Sequence, residues 1–129
     1  MRNETDPNNL GQHDAGAKLD AGKIRVSLLK RFGLALMAVA DLATIGADKY
    51  SDHGWAEVKD GTVRYDDALA GHWLREMFEA SDPDMGVRHE LSVAWNALAR
   101  LQLMIEKDPA WRVRLMARTA TQRPKLKNR

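Results

Sequence analysis

The sequence predicts an all-α protein, a small bundle of three or four helices completed by homo-oligomerisation. Apolar residues recur at steps of three and four along successive segments, and no stretch of convincing length alternates apolar with polar residues as a half-buried strand does. Glycine, aspartate and proline fall between those segments, where breaks are needed.

Residues 1 to about 17 are rich in Asn, Asp, Gly and Gln and have no apolar period, so they are expected to form a flexible arm. Leu28, Leu29, Phe32, Leu36, Val39, Ala40, Ala43 and Ile45 then lie at helical spacing before Gly46, which predicts a first helix over about 28–48. This segment contains no glutamate, so it is expected to supply packing rather than metal ligands. A loop follows through His53, Gly54 and Trp55 to the turn at Asp60 and Gly61.

Leu69, Trp73, Met77 and Ala80 make one apolar stripe and predict a second helix over about 64–80. Ser81, Asp82, Pro83 and Asp84 stop it. Asp82 suits an N-cap and Pro83 a first turn, so a third helix is expected from there to about Lys107, closed by Asp108 and Pro109. Residues 18–110 make the predicted domain. A short helix or tail on Trp111, Val113, Leu115 and Met116 then runs into a basic end at 111–129. Because the first and third helices carry apolar stripes wider than one small protomer covers, a homodimer or higher homo-oligomer is the expected assembly.

Composition removes several classes of function. The chain has 129 residues and no cysteine, which excludes disulfides, thiolate metal sites and a cysteine nucleophile. No apolar run approaches the roughly 20 residues that cross a bilayer, and the polar start lacks the order of a signal peptide, so a cytoplasmic protein without a membrane partner is expected. The net charge of +2 hides an asymmetry: Arg112, Arg114, Arg118, Arg123, Lys125, Lys127 and Arg129 follow Trp111 without an acid, which leaves the rest of the chain net negative. The acids concentrate between Asp66 and Glu90.

A short connection makes helices two and three an antiparallel hairpin. Residues equally far from Pro83 should then face each other: Glu79 and His89, Glu76 and Ser92 or Val93, His72 and Asn96. His72, Glu76 and Glu79 share one face of helix two, as His89, Ser92 and Asn96 do on helix three. Carboxylates buried between them would need cations. Either these acids are a solvated ridge, or they hold a divalent ion; oxygen ligands favour Mg2+ or Mn2+, although the histidines leave zinc open. Lys18, Lys23 and Arg25 around Gly22 could hold phosphate oxygens, without the spacing of a Walker loop. Lys49, Tyr50, His53 and Trp55 put a cation beside aromatic rings able to stack on a base, with core packing the alternative for Trp55.

Four strings, in order over about residues 18–100, together resemble one family. KLDAGKIRVSLL is similar to KxDxGKxRxSLL, IGADKYSDHGW to FGAxKYxxxNW, RYDDALAGH to RYxDAxxRH, and EASDPDMGVRHELSVAWNAL to ExxDxExGxxHLxHAxWNAL. These belong to small phage and bacterial dATP/dGTP diphosphohydrolases, relatives of the MazG-like all-α nucleotide pyrophosphohydrolases. The resemblance implies metal-dependent hydrolysis of a purine (deoxy)nucleoside triphosphate, dGTP or dATP, to the monophosphate and pyrophosphate, in nucleotide-pool control during phage replication. It implies two or more Mg2+ or Mn2+ ions on Asp67, Glu76, Glu79, Asp82 and His89, with Glu76 or Glu79 taking the proton of water. It gives substrate binding to Lys18, Lys23, Arg25, Lys49, Tyr50, Trp55, Arg64, His72 and Asn96. Ser92 stands where the group has its second histidine, and Gly54 where it has an asparagine. Two other readings compete: a nucleic-acid-binding module driven by the basic tail, against which the acidic block argues, and a non-catalytic regulatory relative.

Overall fold

The structure, a computed structural model, describes residues 4–119. The described residues form four α-helices and two short 3-10 helices, and among them only an isolated bridge between Ser81 and Arg88 has β character. The predicted class is therefore observed. Among the described residues, no helix is long and apolar enough to cross a membrane.

The chain divides into two compact units. One contains residues 29–108, with α1 (Gly33–Lys49), a 3-10 turn (Gly54–Glu57), α2 (Gly61–Arg75) and α3 (His89–Glu106). Here α2 and α3 pack most extensively, as the expected hairpin, and α1 lies on α3. The buried residues of α3 are His89, Ser92, Asn96, Ala99 and Leu103, at steps of three and four along one face. At the far end from the hairpin turn, Leu103 presses on the start of α2: a Cβ on Gly61 would sit 2.8 Å from its Cδ1. Glycine at that position is what allows the approach. Among the described residues the fully apolar core is Leu42, Ala99 and Leu103.

Three predicted helix boundaries are corrected. The first helix begins not at 28 but at Gly33, after a 3-10 helix over Val26–Phe32; the 3-10 geometry gives way to α at a residue that costs about 1 kcal/mol inside a helix relative to alanine. The second helix ends at Arg75 rather than near Ala80, and residues 76–78 continue as turns. The third starts at His89, not Pro83. Asp82 caps a tight turn instead of that helix: its Oδ1 accepts the Asp84 N–H at 2.9 Å, its carbonyl accepts the Gly86 N–H, and its own N–H reaches the Val87 carbonyl. Gly86, at φ 70°, adopts the left-handed conformation that a continuous helix forbids.

The other unit contains residues 1–28 and 109–129, described from residue 4 to residue 119. The segment expected to be a flexible arm makes a series of turns tied by Asp6, whose buried carboxylate accepts the N–H groups of Asn8 and Lys18, both at 2.7 Å. Those bonds, led by the one from Lys18, hold the Asp6 carboxyl below the ordinary range. α4 (Pro109–Thr119) opens with proline at its first position, and its Arg118 carbonyl accepts the Ile24 N–H at 3.0 Å. Arg123, Lys125, Lys127 and Arg129 of the predicted basic tail lie outside the described residues.

Candidate functional site

A cavity of about 570 Å³ opens within the 29–108 unit, between α1, the loop around Trp55, and the facing sides of α2 and α3. That volume is in the range of small-molecule pockets, roughly 300–1,000 Å³. α1 contributes Leu42, Ala43, Gly46 and Ala47, an apolar wall as its composition anticipated.

The aromatic side is built by three elements. Trp95 on α3 meets Trp55 edge-on at 6.1 Å between centroids and Tyr65 on α2 at 5.7 Å. The Tyr65 hydroxyl donates to the Trp55 carbonyl, which ties the loop to α2, and burial pushes that phenol above its usual pKa. Edge-to-face pairs of this kind are worth about 0.5–1.5 kcal/mol beyond the area they bury. The wall is thus held in place by contacts of its own.

The polar side contains Arg64, His72, Asp82, Ser92 and Asn96. Asn96 donates through Nδ2 to the Ser92 carbonyl at 2.8 Å, which orients its amide. Behind His72 runs a chain of hydrogen bonds. His72 Nδ1 lies 2.9 Å from His89 Nδ1, and His89 Nε2 lies 3.0 Å from Glu79 Oε1. The same Glu79 oxygen accepts from Arg75 Nε at 2.9 Å and pairs with its Nη2 at 2.7 Å. The Arg75 bond first, and then the His89 bond, hold the Glu79 carboxyl below its usual range. Burial pushes the His72 imidazole below the ordinary histidine value, against the opposing pull of Asp82.

Of the predicted substrate residues, Tyr50, Trp55, Arg64, His72 and Asn96 line this one cavity. Lys49 lies beside it in sequence, its Nζ 5.1 Å from the centre of the Tyr50 ring. Lys18, Lys23 and Arg25 belong to the other unit, where Lys23 pairs with Glu4 at 3.5 Å. The expected opposition of Glu79 and His89 is present. His72 makes its hydrogen bond with His89 instead of Asn96, because α2 stops at Arg75 and the hairpin is not symmetrical about Pro83.

The predicted metal ligands are dispersed. Asp82 is buried on the cavity wall, Glu79 and His89 bond each other behind it, Glu76 is half-buried at the end of α2, and Asp67 is exposed on α2. Among the described residues no three His, Asp or Glu side chains come together in an ion-holding group. The donors therefore do not fit a centre enclosed by one chain. Asp82 is the one predicted ligand on the cavity wall, where it would offer a hard cation a single carboxylate. Neither Glu76 nor Glu79 lines the cavity.

Sequence reasoning assigned no role to Tyr65, Trp95 or Arg75. The i,i+4 spacing of Arg75 and Glu79 was a legible signal. Tyr65 and Trp95 match motif positions of the resembled family, but their contact with each other spans two helices and no local pattern marked it.

The helices thus pack around an aromatic-walled cavity that also presents a guanidinium, a buried carboxylate and an imidazole. The chain belongs to the family described as dATP/dGTP diphosphohydrolase, N-terminal, whose model matches residues 13–111. No curated protein and no solved structure matches it.

Proposed function

We propose that the chain hydrolyses a purine (deoxy)nucleoside triphosphate, dGTP or dATP, to the monophosphate and pyrophosphate, with Mg2+ or Mn2+ as cofactor. Water oxygen bonds to the α-phosphorus, the bridging bond to the β-phosphate breaks, pyrophosphate leaves, and one water proton is released. The observation that supports the reading is that Tyr50, Trp55, Arg64, Asp82 and Asn96, side chains whose chemistry suits a base, phosphate oxygens and a hard cation, line a single cavity in a chain of this family.

Trp55 and Tyr50 offer ring faces for the base, and Arg64 offers a planar fork of donors for phosphate oxygens. Asp82 would hold the ion, which supplies neutralisation of phosphate charge. Asn96, oriented by Ser92, provides a polar anchor of defined direction. The apolar wall of α1 limits the water that competes for these groups.

The test is incubation of the purified chain with each dNTP and NTP in the presence of Mn2+ or Mg2+, with separation of products. Monophosphate and pyrophosphate from a purine triphosphate are expected. Their absence with every triphosphate rejects the proposal.

We also propose that a second copy covers α1. This helix carries charge only at Asp41, Asp48 and Lys49, and it leaves Leu34 at 91% and Met37 at 70% exposure. Sedimentation should show a dimer or larger assembly, and Leu34→Glu with Met37→Glu should shift it to monomer. A monomeric parent chain would remove this idea.

A further inference from the structure

The geometry points to Tyr65 as a positioning residue for the base: its hydroxyl, by donating to the Trp55 carbonyl, fixes the Trp55 ring on the cavity wall and so sets base binding without entering the chemical step. This role rests on the reading of the cavity as a nucleotide site. Tyr65 then acts through Trp55.

The connection between α1 and α2 builds much of the cavity wall, through Tyr50, Asp52, Gly54, Trp55 and Val58. Its one regular feature is the 3-10 turn Gly54–Glu57, in which the Ala56 N–H reaches the His53 carbonyl at 3.1 Å. Hydrogen-bond geometry in such a turn is poor, so the ring it carries needs support from outside. That support comes from α2. Tyr65 bonds the carbonyl of the very residue whose ring lines the cavity. The preceding residue, Arg64, also reaches back, to the Lys59 carbonyl, but at 3.4 Å and from an exposed side chain.

The direction of the Tyr65 bond is fixed by its atoms. A carbonyl oxygen has no hydrogen, so the phenol donates. Burial disfavours the phenolate, which keeps that hydrogen in place at neutral pH. The Tyr65 ring is itself seated at the start of α2, where a Cβ on Gly61 would lie 3.4 Å from its Cε2. Trp95 meets both rings edge-on, at interplanar angles of 80° to Trp55 and 75° to Tyr65. Edge-to-face contacts tolerate centroid separations over a range of about 4.5–7 Å, whereas a hydrogen bond weakens steeply once it bends below about 120°. The hydroxyl therefore defines where Trp55 sits more sharply than the rings do.

Tyr65→Phe removes the donor and keeps the ring against Trp95, so the variant should fold, which circular dichroism checks. The first measurement needs no ligand: 19F NMR of the whole chain labelled with 5-fluorotryptophan, the Trp55 signal being assigned by its loss in Trp55→Leu. Tyr65→Phe should shift or broaden the Trp55 signal and leave that of Trp73, which is half-exposed on α2, unchanged. An unmoved Trp55 signal overturns the inference. The second is calorimetric titration, with Mn2+, of a purine deoxynucleoside triphosphate whose α,β bridge is a methylene, beside inorganic tripolyphosphate. Stacking on an aromatic ring is worth about 10–100-fold in affinity, and a displaced ring should forfeit part of it, so Tyr65→Phe should raise the nucleotide Kd about 3–10-fold. The tripolyphosphate Kd should not change, and equal losses for both ligands would mean general damage to the cavity and overturn the role. In the Trp55→Leu background Tyr65→Phe should alter the nucleotide Kd less than about 2-fold. The same cost in both backgrounds would show that Tyr65 meets the base directly, and would also overturn it. In turnover, KM should rise with kcat little changed. A wild-type chain that binds no nucleotide defeats this role together with the proposed function, whereas binding without turnover defeats the proposed function alone.

Discussion

The buried face of α3 changes chemistry halfway along. From His89 through Ser92 to Asn96 it is polar; from Ala99 to Leu103 it is apolar, yet all five positions are buried. Burial alone therefore does not distinguish a core from a site. The apolar half closes against the start of α2, where Gly61 lets Leu103 approach. The polar half lies toward the hairpin turn, where every buried group needs a partner, and it finds them in His72, Glu79 and the Ser92 carbonyl. One half supplies stability and the other holds polar groups around an open volume.

The contrast predicts that damage to the two halves will separate in kind. The largest effect is expected from Asp82→Asn on the polar side. The amide oxygen can still accept the Asp84 N–H, so the turn should persist, while loss of the negative charge should cut turnover by about 100-fold, on the order of 3 kcal/mol. Unchanged kcat in the presence of saturating Mn2+ would show that the cavity carboxylate holds no ion.

In the apolar half, Leu103→Ala should cost about 2–4 kcal/mol by denaturant unfolding, from lost burial and an incompletely filled cavity. Turnover under folding conditions should hardly change. Gly61→Ala should cost about 1–3 kcal/mol, because the new methyl meets Leu103 Cδ1. Combined with Leu103→Ala, the glycine substitution should cost less than it does alone. Additive costs would mean that the two residues do not share the contact.

The smallest effect is a pH dependence on the polar side. The folded-state pKa of Glu79 is depressed, mainly by Arg75 and then by His89, so its contribution to stability is present above the unfolded carboxylate value and is lost as pH falls through the folded one. Acid titration of the thermal midpoint should therefore show a decline that Glu79→Gln flattens. A decline of equal depth in both proteins would assign it to other carboxylates, Asp6 in the other unit first among them.

Much of this was legible in the order of residues. Helical periodicity is local, so steps of three and four identify the helices, and equal distance from the Pro83 turn puts Glu79 opposite His89. The polar stripe of α3 was visible in the same way. The aromatic loop around Tyr50 and Trp55 was marked by composition, and both residues line the cavity. The ends of α2 and α3 were misread because Asp82 and Pro83 suit a helix start as well as they suit the tight turn they make. The left-handed Gly86, four residues further on, decided between them.

The sequence by itself determined the all-α class, the helical hairpin, the family and the residue types available for chemistry, since each depends on neighbours within a few positions or on motifs kept in order. Only the tertiary structure decided which of those residues share a volume. It put Arg64, His72, Asp82 and Asn96 on one wall, left Asp67 in solvent, and engaged Glu79 with Arg75 and His89. The physical reason is that a buried polar atom takes whichever partner the docking of two helices brings within about 3 Å. That distance is set by packing across the hairpin, which no local pattern encodes.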